Sequence, residues 1–284
     1  MKPASNTPFL MVLASCLGLG AATAELPTIE DGPGMGSFAS CDGKTFQLRV
    51  ADDATVTVNP LKKNGEPTSY LRLRFNHSVR QVLPNGKLRP LEIDPTSLKS
   101  EHPATNELTE TVITGIAGDG ASFEIRVAID KDVLSLGGRI TDPGNETKFP
   151  LSFHFDTNLG HFRGRLLQRL DGDKKEFERI VGEDWFKLRH LDKKTVKHSL
   201  TDIYEESDLA DLNGPGIREV EVQASIVDKN KRILLFEATG ASSMRFSKRK
   251  GSGPYYEGYA LDWSSDAGKD LNGDARLVFE IDEK

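Results

Sequence analysis

The feature that most limits what this chain can fold into lies between Leu108 and Asp156, reading LTETVITGIAGDGASFEIRVAIDKDVLSLGGRITDPGNETKFPLSFHFD. It contains four runs of alternating apolar and polar residues, separated by short turn clusters. Period-two alternation puts every second side chain on one face of an extended strand, and no 3.6-residue helix can satisfy it. In the second run Phe123, Ile125, Val127 and Ile129 share one face, while Ser122, Glu124, Arg126 and Ala128 share the other. Asp130-Lys131-Asp132 turns the chain into a third run over 133–140, and Asp142-Pro143-Gly144-Asn145 breaks it again. Leu151, Phe153 and Phe155 then face one way in the fourth run. Successive antiparallel strands are written in this manner.

The same style extends outwards. Alternating runs occupy 44–50, 54–58 and 69–75 before the central block, and 217–227, 232–238, 243–247, 255–263 and 275–281 after it. Residues 95–105 read as a polar connection. The tally is about fifteen strands with no long amphipathic helix and no fixed-period repeat. The expected fold is all-β: one large antiparallel β-sandwich over 44–284, with a seam inside 161–216. A Gly/Pro/Ser-rich stretch at 25–43 reads as a flexible lead-in.

The first 24 residues read as a signal peptide. Lys2 gives a minimal positive start, residues 9–19 an apolar run, and Ala22-Thr23-Ala24 a small-residue cleavage site. The expected location is therefore periplasmic or extracellular. Leu13-Ala14-Ser15-Cys16 also matches a lipobox, which gives the alternative of a lipoprotein anchored at Cys16. No later apolar run approaches the ~20 residues of a membrane-spanning helix. Cys16 and Cys41 are the two cysteines of the chain, so a cleaved chain keeps Cys41 without an internal partner. A formal net charge of −6 argues against a general nucleic-acid partner, which needs a basic surface.

A secreted chain of this length, with many antiparallel strands and the turn Leu136-Gly137-Gly138-Arg139-Ile140-Thr141-Asp142-Pro143-Gly144-Asn145 after a long strand, resembles the galactose-mutarotase-like supersandwich. That family includes aldose epimerases and accessory domains of carbohydrate-active enzymes. The resemblance spans residues 50–284 and implies a sugar-related sandwich. Aldose epimerases use histidines with an acidic residue on a concave sheet, one of them in the context Asn-His-Ser-Tyr-Phe-Asn. Here Asn76-His77-Ser78 continues as Val79-Arg80-Gln81 and falls early in the chain, so no catalytic role passes to His77.

Three constellations carry candidate chemistry. On the strand over 255–263, alternation places Tyr255, Glu257, Tyr259, Leu261 and Trp263 on one face. Rings beside a carboxylate suit the C–H faces and hydroxyls of a sugar, and Arg245 precedes them in a basic loop. The expected ligand-binding set is therefore Arg245, Tyr255, Glu257, Tyr259 and Trp263, set against a purely structural aromatic cluster. Second, Ser152, His154 and Asp156 share the polar face of their strand, with His161 close behind. A histidine and a carboxylate at i, i+2 project to the same side and can exchange a proton. His154, Asp156, His161 and Glu257 are the candidate catalytic groups. Third, Asp270, Asn272 and Asp274 open like a calcium loop, although Asn272-Gly273 is a strong turn by itself and position twelve is Ile281, which cannot ligate. His190 and His198, among lysines, read as solvated.

The chain has no Gly-x-Ser-x-Gly elbow, no His-Glu-x-x-His and no phosphate-binding glycine loop. The expectation is an exported carbohydrate-binding sandwich, a non-catalytic relative of sugar epimerases, whose partner is a carbohydrate or a cell-envelope polymer. The alternatives are a carbohydrate-active epimerase or lyase, and an envelope structural protein without a small ligand.

Overall fold

In the central block the Phe123, Ile125 and Val127 side chains are fully buried, and the residues between them are half-buried. The structure, a computed structural model, describes residues 26–62, 64–67, 72–161, 175, 185–199, 212–223, 232–250, 257–266, 268–270 and 272–282; residues 160, 161, 199, 248–250 and 257–259 are described by backbone alone. Seventeen strands lie among the described residues, and every strand pairing is antiparallel.

The N-terminal strands are β1 (Ala39–Asp42), β2 (Phe46–Val50), β3 (Val56–Pro60), β4 (Leu73–Val82) and β5 (Leu88–Pro90). The central block gives β6 (Ile93–Ser100), β7 (Glu110–Ala117), β8 (Ala121–Asp130), β9 (Val133–Asp142) and β10 (Leu151–His161). Then come β11 (Trp185–His190), β12 (Thr195–Ser199), β13 (Ile217–Gln223) and β14 (Ile233–Thr239). The chain closes with β15 (Ser242–Lys250), β16 (Glu257–Ser265) and β17 (Arg276–Asp282).

One layer runs β1–β2–β3–β4–β10–β16–β15, with β5 paired to the end of β4. The other runs β6–β7–β8–β9–β17–β14–β13–β11–β12. The layers meet edge to edge where Ile217 of β13 pairs with Met244 of β15. Rings from the two layers interleave between them: Phe46 and Phe75 each lie 5.9 Å from Phe279, and Phe123 lies 5.9 Å from Phe153. This is the all-β sandwich that the alternation implies, with large flat side chains filling the space between the sheets.

Local chemistry explains the turns. At the β8–β9 hairpin Lys131 and Asp132 have φ of 47° and 66°, the left-handed pair that matches the twist of a tight hairpin. The Asp132 carboxylate then accepts the Lys44 N–H at 2.7 Å, which ties this turn to the start of the first layer. Gly138 is required for a different reason: a Cβ there would sit 2.0 Å from the ring of Phe153, so β9 can approach β10 only without a side chain.

Four expectations are corrected. The stretch read as a flexible lead-in docks: Leu26, Ile29 and Phe38 are buried and 39–42 form β1. Asn106 clamps it, accepting the Gly34 N–H at 2.8 Å and donating to the Asp31 carbonyl at 2.9 Å. The supposed polar connection after Asp94 is largely β6, and β4 ends later than the run read over 69–75, of which 69–71 lie outside the described residues. His190 is buried, not solvated, with Nε2 2.8 Å from the Leu212 carbonyl. The proposed seam at 161–216 falls largely on residues outside the described set.

Candidate functional site

β4, β10 and β16 lie side by side, and their registers decide which side chains meet. His154 stands opposite Ser78 on one side and Ser264 on the other; Asp156 stands opposite Asn76 and Asp262. Residues opposite one another in register share a face. Phe153, Phe155, Val79 and Trp263 therefore enter the core together, all fully buried. The other face of the same three strands carries Ser78, Arg80, Ser152, His154, Asp156 and Asp262.

There the polar groups form one connected network. His154 Nδ1 lies 2.9 Å from Asp262 Oδ1, and His154 Nε2 lies 2.8 Å from the Ser152 hydroxyl. Arg80 donates from Nη1 to Asp262 Oδ2 at 2.6 Å and from Nε to Ser78 Oγ at 2.9 Å, and its Nη2 stands 3.6 Å from Asp156 Oδ1. The guanidinium is thus bracketed by two carboxylates from different strands. Burial pushes the Asp262 carboxyl up, but the His154 hydrogen bond and charge and the Arg80 cation outweigh it and hold the group below the ordinary carboxylate range. An ionised carboxylate only accepts, so the Nδ1 side of His154 donates to it. On its other side Nε2 faces the Ser152 hydroxyl, whose oxygen also stands 3.3 Å from the Arg80 carbonyl, the second acceptor within reach of its proton.

The network is shielded but not sealed. The side chain of His154 is only 6% exposed, whereas Asp262 keeps 24% of its surface and Asp156 14%. Arg245 is exposed on the neighbouring β15, opposite Asp262 in register. An open cavity of about 460 Å³ continues the same face, lined by Arg218, Ser243, Ser264, Asp266 and Lys269; Ser264 is the register partner of His154.

The sequence-derived candidates separate on this framework. Ser152, His154 and Asp156 do share a face, but His154 bonds Asp262 rather than Asp156. Trp263 is not a ligand platform: it is fully buried, 5.6 Å from the Phe155 ring. It lies on the opposite face from Arg245, because successive residues of a strand alternate and Arg245 pairs with Asp262. Tyr255 lies outside the described residues. The backbones of His161, Glu257 and Tyr259 pair with Gly258, Lys250 and Lys248 respectively, while their side chains are outside the described set.

Asp270 is nearly buried and closes its own turn, its Oδ1 accepting the N–H groups of Asp274 at 2.7 Å and Ala275 at 3.0 Å. Asn272 and Asp274 are exposed beside it. Among the described residues no three His, Cys, Asp or Glu side chains gather in a metal-holding arrangement. Also among them, no helix is long and apolar enough to cross a membrane. Cys41 is half-buried, and burial with the nearby Asp42 and Asp132 charges raises its thiol, which keeps it protonated.

Arg80 and Asp262 were not among the sequence candidates. Their signal was present: polar residues recur on alternate positions of three strands. Only the pairing β4–β10–β16 shows that the three polar rows are one surface.

No family model matches this chain, and no curated protein does. Solved structures that it resembles include a protein of Synechocystis sp., with TM-score 0.43 and 11% identity over 84% of this chain and 92% of that one. A second is a proposed aldose 1-epimerase of Escherichia coli, with TM-score 0.42 and 12% identity over 87% and 99%. A third is a galactose mutarotase related enzyme of Lactobacillus acidophilus, with TM-score 0.44 and 13% identity over 86% and 97%. Two of these names fall in the family that the sequence resembles. At such identities and scores no residue role passes from them to this chain.

Proposed function

We propose that this chain is an exported carbohydrate-recognising β-sandwich whose sugar-contacting surface is the polar face of β4, β10, β16 and β15. The observation that carries the reading is the Arg80 guanidinium held between Asp156 and Asp262, with both carboxylates still partly accessible. Sugar hydroxyls are donors and acceptors at fixed spacing. Carboxylates offer paired acceptors, a guanidinium offers donors, and a network that fixes all three before binding lowers the ordering cost. Export rests on Lys2, the apolar run at 9–19 and the Ala22-Thr23-Ala24 site.

The test is a glycan array on the purified protein, run with and without calcium, beside Asp156→Asn and Arg245→Ala variants. Specific binding that weakens at least about tenfold (about 1.4 kcal/mol) in Asp156→Asn is the expected result. A blank from a folded sample, or binding indifferent to both substitutions, overturns the reading. A calcium requirement would give Asp270, Asn272 and Asp274 a role beyond the turn.

A further inference from the structure

We propose that Ser152, His154 and Asp262 form a nucleophile–base–orienting triad that cleaves O-acyl esters. The geometry is a chain of two hydrogen bonds through one imidazole: hydroxyl to Nε2 at 2.8 Å, and Nδ1 to carboxylate at 2.9 Å. A serine hydroxyl is a poor nucleophile alone. It becomes a good one when a base within hydrogen-bond reach takes its proton and a third group fixes that base's ring. Asp262 is itself immobilised by Arg80 at 2.6 Å, and Arg80 by Ser78 at 2.9 Å, so the ring orientation is held by two further layers of contacts. Ser152 stays half-exposed at the end of β10, beyond the last residue pair that β10 makes with β16. Arg80 is its register partner across β4, and the Arg80 guanidinium is committed to Asp262, Asp156 and Ser78.

The step balances. As Ser152 Oγ bonds the ester carbonyl carbon, its proton passes to His154 Nε2 and the carbonyl π electrons move to oxygen. Collapse breaks the bond to the alcohol oxygen, which leaves with the Nε2 proton. Water then attacks the acyl-serine, giving up a proton to Nε2, and that proton returns to Oγ as the carboxylic acid leaves. Ester and water become acid and alcohol, with no other reactant.

The identity of the alcohol rests on the carbohydrate reading given above: an acylated sugar hydroxyl. The chemistry of the triad does not rest on it, and the experiment uses that difference. The full chain is incubated with diisopropyl phosphorofluoridate and, separately, with p-nitrophenyl acetate, and the adduct is located by peptide mass mapping.

The expected result is one adduct, on Ser152, absent in Ser152→Ala, with labelling slowed on the order of 10³-fold in His154→Gln. Asp262 is a positioning residue, so Asp262→Asn lowers kcat for the acetate ester at least tenfold while KM stays within about twofold. A folded protein that stays unlabelled at Ser152, or labels equally fast without His154, overturns the triad. An Asp262→Asn loss that appears in KM alone also overturns it. Sugar binding without an adduct leaves only the carbohydrate reading standing; an adduct without sugar binding leaves only the triad.

Discussion

Replacing Asp262 by Ala removes the acceptor shared by His154 and Arg80, and its cost measures how far this network is withdrawn from water. Removing one partner of a buried ion pair costs about 3–5 kcal/mol, because the other is left charged and unpaired; exposed pairs are worth about 0–1 kcal/mol. With Asp262 24% exposed, Arg80 17% and His154 6%, the network stands nearer the buried limit. A loss of about 2–3 kcal/mol is expected. For a chain of this size urea unfolding has a slope of about 3 kcal/mol/M, so the midpoint falls by about 1 M with the slope unchanged. Intrinsic fluorescence reads this directly, since Trp263 is fully buried against Phe155.

The effect has a defined pH dependence. Asp262 is held below its ordinary range, so its contribution is complete above the unfolded carboxylate value of about 3.9 and is lost as pH falls through the lower folded value. The gap between parent and variant therefore narrows only in acid below pH 4. A midpoint shift under ~0.2 M at pH 7 would mean that water already solvates the network, and the reasoning from burial would fail.

Two further outcomes follow from the core. His77 packs against both Phe123 and Phe153, its ring parallel to Phe153 within 7°, and burial lowers its pKa to about 4. A folded value below the unfolded ~6.5 makes protons favour the unfolded chain, so the parent loses up to about 3 kcal/mol between pH 6.5 and 4. His77→Phe should remove that loss; an identical pH dependence of the melting temperature in both proteins would refute it. Gly138→Ala forces a methyl into the buried Phe153 ring and should cost about 1–3 kcal/mol, lowering the melting temperature by several degrees; a drop under 2 °C would show that β9 and β10 can separate cheaply.

The alternation in the sequence carried the architecture because burial follows it residue by residue: β2, β8 and β17 show the in–out pattern that their letters imply. His190 falls in phase with Phe186 and Leu188, the buried positions of β11, but its lysine neighbours suggested solvent. Apolar residues in the Gly/Pro-rich stretch before β1 had no periodicity to announce them. They are buried because Asn106, far along the chain, folds that stretch onto the sheet.

The site shows where alternation stops being informative. Ser152 and His154 at i, i+2 were legible as neighbours, and Asp156, two further on, looked like the natural acidic partner. Residues at i, i+2 on a strand stand about 7 Å apart, comparable to the diagonal distance to the next strand. The carboxylate that meets His154 is therefore chosen by which strand pairs with β10 and in what register. That choice placed Asp262, 108 residues away, diagonally beside His154. In its own strand Asp262 alternates with an aromatic row, and Trp263 on that row points into the core. Arg80 reached the same point from β4 for the same reason, which is why a network assembled from three strands has no local sequence motif.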